Sequence, residues 1–294
     1  MAFFLALAIS ATAASQNTDR KLQSKIEEQV RGFNGQVGVY IKNLRTGRIV
    51  AVNADTVFPT ASIVKVPIMV GVMDKIAKGE LGYNQELIYK DSLLYEGSDI
   101  LGSFKSGEKI LLKKVLMLML TTSDNTASLW LQSLAGKGTR INELMDSLGL
   151  KVTRVNSRTP GREANRTQFG WGQSSPREMA TLVEKIYRKQ VISPAACERM
   201  MRCLGRNYWD ESEAISQVPP YIEVFSKNGC VDRSRSEVLL VNGPRNPYIL
   251  SIFTKNNKDT SWKRENEAWT LARKISWLLW NYFEPKDDWQ PAMN

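Results

Sequence analysis

The sequence predicts an α/β fold in which one antiparallel sheet is assembled from both ends of the chain. A helical lobe is inserted between those ends. Three observations carry this expectation. Strand-like alternation sits near the N-terminus, in Gln36–Ile41 and Arg48–Val52, with Asn43 to Gly47 as the turn. It returns near the C-terminus in Tyr221–Lys227, Ser236–Val241 and Tyr248–Thr254, with Asn242-Gly243-Pro244 joining the last two. Between them the apolar spacing is helical. The expected lobes are 14–60 with 206–294 for the α/β part, and 61–205 for the helical part.

The elements follow in order. Residues 2–14 form a short apolar run whose Ala11-Thr12-Ala13 suits signal cleavage after Ala13, although a basic n-region is missing. The run is too short to span a bilayer, so residues 1–13 read as a signal peptide and the protein as exported, periplasmic or extracellular. Thr18-Asp19 caps a helix carrying Leu22, Ile26 and Val30. An apolar helix runs from about Ser62 to Ala77 and stops before Gly79. Residues 80–110 are loop-rich, with Gly82, Gly97, Gly102 and Gly107. Helical runs follow at 111–122, 125–136 and 139–147. Residues 153–175 have no clear period, and a loop of that length in a compact domain is either functional or hides elements of its own. Ser175-Pro176-Arg177-Glu178 opens another helix, and a further one falls near 194–204. Residues 262–283 form a long amphipathic helix.

Composition narrows the chemistry. The chain of 294 residues contains no histidine. Ser-His-Asp and Cys-His mechanisms and imidazole zinc sites are therefore excluded. A base working near neutral pH must be a lysine, a carboxylate or a water held by one. Three cysteines are too few for a disulfide framework, and the spacing of Cys197 and Cys203 in a helical stretch argues against a bridge between them. The net charge of +10 comes from dispersed lysines and arginines. It suits general attraction to polyanions, and no nucleic-acid module is present. No metal or cofactor is expected.

The candidate chemistry centres on Ser62-Ile63-Val64-Lys65. At a spacing of three, two helical side chains share a face and touch. Lys65 sits among Ile63, Val64, Val66, Ile68 and Met69. Burial disfavours its charged form, and a neutral amine can take the serine's proton. Two further groups stand at element ends. Ser123-Asp124-Asn125 breaks two helical runs, and Lys227-Asn228-Gly229 closes a predicted strand. A hydroxyl, an amide and a second lysine converging on Ser62 suit acyl transfer. Ser123 would relay a proton, Asn125 would orient a substrate amide, Lys227 would meet a carboxylate, and Gly229 would let a substrate lie along the strand edge.

The order Ser-x-x-Lys, Ser-Asp-Asn, long loop, Lys-x-Gly resembles the class A β-lactamases and their penicillin-binding relatives. The resemblance covers nearly the whole mature chain. It implies the β-lactamase/transpeptidase-like fold, with the site in a cleft between the two lobes. It makes Ser62 the acylated nucleophile, Lys65 its base partner, and the backbone N–H groups of Ser62 and Cys230 the oxyanion hole. It implies an arginine for the substrate carboxylate, at Arg235 by strand position or at Arg233. Two departures stand out. Counting back from Pro176, the family's loop glutamate falls on Thr159 and its asparagine on Glu163. Glu163 is then the one carboxylate of the loop that could activate the deacylating water. Asn228 replaces the family's Thr or Ser. The expected substrates are β-lactams, hydrolysed weakly, or the peptidoglycan D-Ala-D-Ala stem peptides they mimic. A non-catalytic penicillin-binding sensor or scaffold is the further alternative. The chain is expected to act as a monomer without a stable membrane span.

Overall fold

The computed structural model describes residues 17–291 other than 98 and 206. The expected signal segment lies outside the described residues. The central sheet has five strands: β1 (Gln36–Asn43), β2 (Ile49–Val52), β3 (Val224–Val231), β4 (Ser234–Val241) and β5 (Tyr248–Lys255). Their order is β2-β1-β5-β4-β3, antiparallel throughout. β1 from the N-terminal region thus lies beside β5 from the C-terminal region, with Gln36 opposite Lys255 and Asn43 opposite Tyr248. The sheet built from both ends of the chain, flanked by helices, is present as expected.

Strand alternation explains the two-sided burial. Val39, Ile41, Leu250 and Ile252 project to one face, where α1 (Arg20–Val30) and α9 (Glu267–Phe283) supply Leu22, Ile26, Ile275 and Leu279. Tyr40, Ile249 and Phe253 project to the other face, into a core shared with Met179, Val183 and Ile186 of α7 (Pro176–Tyr187). The helices between the two sheet segments are α2 (Lys65–Ala77), α3 (Leu112–Thr121), α4 (Asn125–Leu134), α5 (Lys137–Ser147), α6 (Glu163–Phe169), α7 and α8 (Pro194–Leu204). Caps fall where the sequence placed them. Asp19 accepts from Leu22 N at 3.1 Å, and Ser175 accepts from Glu178 N at 3.3 Å.

Four differences from the sequence expectation bear on the site. The Ser62 segment begins as a 3₁₀ turn, Ala61–Val64, and becomes α-helical at Lys65. The segment 80–110 contains a small hairpin, Glu86–Ile88 with Lys109–Leu111. The segment 153–175 contains α6 and two short strands. α6 buries none of its residues, so it shows no apolar period to read. The third strand lies several residues later than expected, so Lys227-Asn228-Gly229 sits within β3 rather than at its end. The three cysteines are all free.

Candidate active site

Backbone strain marks the two places where the site is assembled. Ala61 and Ser123, both non-glycine, have φ of +43° and +60°. Each strained residue is held from both sides. Ala61 precedes the 3₁₀ turn carrying Ser62, and Ser123 lies between the end of α3 and the start of α4. Asp124 caps α4 by accepting from Ala127 N at 2.7 Å. Its other oxygen accepts from Ile100 N at 2.6 Å and Leu101 N at 3.0 Å. The aspartate of the Ser-Asp-Asn stretch is therefore a clamp on the backbone, with its carboxylate occupied by three N–H groups.

Lys65 is fully buried. Its Nζ lies 3.0 Å from Ser62 Oγ, 3.0 Å from Ser123 Oγ and 3.0 Å from Asn125 Oδ1, and it also contacts the Ser123 carbonyl. A tetrahedral nitrogen serves three such partners at once, so the four positions compete. Burial holds the Lys65 amine well below its ordinary range, Lys227 nearby pushes the same way, and Asp124 opposes. In its neutral form the amine accepts the Ser62 hydroxyl proton and donates to two of the other three. The predicted pairing of Ser62, Lys65, Ser123 and Asn125 is thus present in one cluster.

Lys227 is also fully buried, with Nζ donating to Asn228 O at 2.9 Å and Asn228 Oδ1 at 3.1 Å. Burial lowers its pKa to about 8, opposed by Cys230, Glu213 and Glu237. Glu237 is itself pushed up to about 8, first by burial and then by Glu213. Gly229 lies directly against the turn of Ser62. A Cβ there would come within 2.8 Å of Ser62 N and 2.9 Å of Ile63 N, and nearer still to Thr60 O. Glycine is required because backbone meets backbone at that point. The contact puts β3 alongside the nucleophile and brings Cys230 to the wall of the cavity.

That cavity, of about 580 Å³, is lined by Ser62, Asn125, Trp171, Cys230, Arg233 and Lys255 among others. Burial, and then Glu213, pushes the Cys230 thiol up to about 12. Trp171 was not legible as a lining residue, because it lies between Gly170 and Gly172 in a stretch without periodicity. Tyr95 packs edge-on against it at 5.0 Å.

Four positions that the sequence reading names lie away from the cavity lining. Glu163 is exposed at the start of α6, its Oε1 accepting from Gly161 N at 3.2 Å, and it does not line the cavity. Thr159 is buried against α5, where it fills the space a Gly138 side chain would need, with Oγ1 donating to Ser157 O at 2.9 Å. Arg235 is buried with its guanidinium over Trp262 and Trp269, at 4.4 and 4.7 Å from the ring centroids. It donates to the carbonyls of Val231, Ser234 and Ser261. Arg233, in the turn between β3 and β4, is the arginine that lines the cavity. The choice turned on which side of a two-residue turn faces the cleft, which spacing does not report. Asn228 also turns from the cleft. Its Nδ2 donates to Trp209 O and to Glu213 Oε1, each at 2.9 Å.

A serine, a buried lysine pushed toward its neutral form and a second hydroxyl, meeting beside a cavity, define the active-serine class of acyl-transfer enzymes. The comparison with known proteins narrows the class. A family profile described as the Beta-lactamase enzyme family matches residues 21–283, and the chain belongs to that family. It is 23% identical to the β-lactamase VEB-1 of Pseudomonas aeruginosa over 95% of each chain. It is 24% identical to the β-lactamase SME-1 of Serratia marcescens, over 87% of this chain and 89% of that one. Among solved structures, a mutant of PBP-A in its acyl-enzyme complex with penicillin G superposes with a TM-score of 0.80. That match has 25% identity and covers 91% of this chain and 98% of PBP-A. The fold is thereby the β-lactamase/transpeptidase fold.

Proposed function

We propose that the protein is an active-serine hydrolase that opens β-lactams through an acyl-enzyme on Ser62 and releases the product slowly. The supporting observation is the buried Lys65 amine within 3.0 Å of both Ser62 Oγ and Ser123 Oγ. In this reading neutral Lys65 takes the Ser62 proton as Oγ attacks the lactam carbonyl. The Ser62 and Cys230 N–H groups receive the oxyanion. The C–N bond breaks as Ser123 Oγ–H gives its proton to the leaving nitrogen, and Ser123 regains one from Lys65. Lys227 offers its charge to the substrate carboxylate. Hydrolysis then needs a base for water. No carboxylate lines the cavity among the described residues, so the same lysine serves.

Time-resolved intact mass with penicillin G tests this. The expected result is an adduct on Ser62 that forms quickly, decays slowly and is absent in Ser62→Ala. No adduct at all would defeat the nucleophile.

A second reading has its own support. The absence of a carboxylate from that lining, together with the likeness to PBP-A, favours a D,D-peptidase acting on peptidoglycan D-Ala-D-Ala ends. Release of D-Ala from a stem-peptide substrate, with no net loss of penicillin, would select it. Export and action as a monomer belong to the same proposal. No helix among the described residues is long and apolar enough to cross a membrane. Cell fractionation and size-exclusion chromatography test both.

A further inference from the structure

The lining of the cavity beside Ser62 runs through Gln168, Trp171, Arg233 and Lys255, and includes neither Ser123 nor Lys227. At the Ser123–Lys227 end, a segment from another part of the chain crosses between the two walls. Tyr208 N donates to Thr121 O at 2.8 Å, and Trp209 Nε1 donates to Thr122 O at 3.0 Å. Both carbonyls lie at the end of α3, immediately before Ser123. On the opposite wall, Asn228 beside Lys227 donates its Nδ2 to Trp209 O at 2.9 Å. The strap is therefore pinned to the residue next to each of the two groups that would receive the leaving side of a substrate.

The strap is also stiffened from within. Trp209 N donates to Asn207 Oδ1 at 3.3 Å, and the Tyr208 and Trp209 rings meet edge to face at 4.9 Å. Tyr208 and Trp209 are 69% and 47% exposed, so neither is spent on the core. Asn228 supplies what Ser or Thr at that place could not. Its side chain is long enough to reach Trp209 O, and its amide has a second N–H for Glu213.

Resting on the acyl-enzyme reading above, we propose that Trp209 is a specificity-determining residue. The strap it anchors closes the leaving-group end of the cleft, so that acyl donors with a compact leaving group are accepted and extended ones are refused. Substrates would then be cleaved at their terminal bond, with one small carboxylate-bearing unit departing toward Lys227. The open side would take acyl groups of variable length. Asn228 is in this account a positioning residue that acts through the strap.

The test uses the full chain and two depsipeptide donors that share one acyl group. One releases D-lactate and the other releases D-lactyl-glycine, one residue longer. Acylation of Ser62 is followed by intact mass to give kcat/KM for each. The wild-type protein is expected to favour the short donor by about tenfold or more, the scale of discrimination a shaped pocket achieves. Trp209→Ala is expected to bring the ratio near one by raising the rate of the long donor relative to the short one. Trp209→Leu, which keeps a branched apolar side chain at that place but loses the N–H bonded to Thr122 O, reads the same ratio if the alanine variant fails to fold. Equal rates for the two donors in the wild type would overturn the proposal, as would an unchanged ratio in a folded Trp209 variant. No adduct from either donor or from penicillin G would instead defeat the Ser62 reading and the closed end with it.

Discussion

Replacing Gly229 by alanine tests how the nucleophile is held. The added Cβ would stand 2.8 Å from Ser62 N and 2.9 Å from Ile63 N, and nearer to Thr60 O. All three are main-chain atoms, so no side chain can swing aside. Opening the 2.8 Å approach to the 3.4 Å of ordinary contact takes about 0.6 Å, and the Thr60 carbonyl demands more. Overpacking of this kind costs about 1–3 kcal/mol, and each kcal/mol lowers Tm by about 2–4 °C in a domain of this size. The effect on chemistry is larger. A displacement approaching 1 Å at a nucleophile costs about 10²-fold in rate. Penicillin G acylation of Gly229→Ala, followed by intact mass beside a thermal melt, should show both losses. Acylation within about threefold of wild type with an unchanged Tm would refute the reasoning, because the turn would then be shown to move freely.

Other outcomes follow from the same geometry. Glu163→Gln should leave the adduct lifetime within about twofold of wild type, since its carboxylate is exposed and engaged with Gly161 N. A prolonged adduct would restore the base role. Lys65→Met should slow acylation by about 10²–10⁴-fold, the usual contribution of a positioned base, read in the same mass assay. Lys227 is lowered from 10.5 to about 8, so its charge is present below pH 8 and lost above it. Acylation by penicillin G should fall as pH rises through that point, whereas a penicillin methyl ester should lack the fall. The same depression means the unfolded chain holds more protons between about pH 8 and 10.5, so stability rises with pH across that window. Denaturant melts of Lys227→Met should show a smaller rise.

The legible part of the site is the part carried by spacing along one element. Ser62 and Lys65 are one turn apart, and no distant contact is needed to put them together. Ser123 and Lys227 were readable because each stands in a short polar interruption of an apolar run. Orientation across the chain was not readable. Asn228 faces Trp209 and Glu213 because the 207–213 segment folds back over β3, and nothing in the local pattern of either segment announces the pairing. Strand position favours Arg235 over Arg233, yet Trp262 and Trp269 hold the Arg235 guanidinium and Arg233 lines the cavity. Glu163 is the carboxylate that residues 157–165 offer. The loop hides a helix that buries none of its residues, so the direction of that side chain has no signature.

The arrangement around Lys65 also explains why an amide, and not a second acid, follows Asp124. Lys65 is useful as a base only while it is neutral. Burial and the positive charge of Lys227 favour that form, and Asp124 works against it. The opposition is weakened because the Asp124 carboxylate is spent on Ala127, Ile100 and Leu101 N–H groups. Asn125 meets Nζ at 3.0 Å with a neutral carbonyl oxygen, which accepts without holding a proton on the amine. Asn125→Asp would put a full negative charge at that distance. At an effective dielectric of about 20 the attraction is about 5 kcal/mol, enough to hold Lys65 in its charged form through neutral pH. Acylation should then collapse near pH 7 and recover only at higher pH, with its acid limb displaced upward. A folded Asn125→Asp variant that acylates with the wild-type pH profile would mean that Lys65 does not act as the neutral base, and a different group would have to take the Ser62 proton.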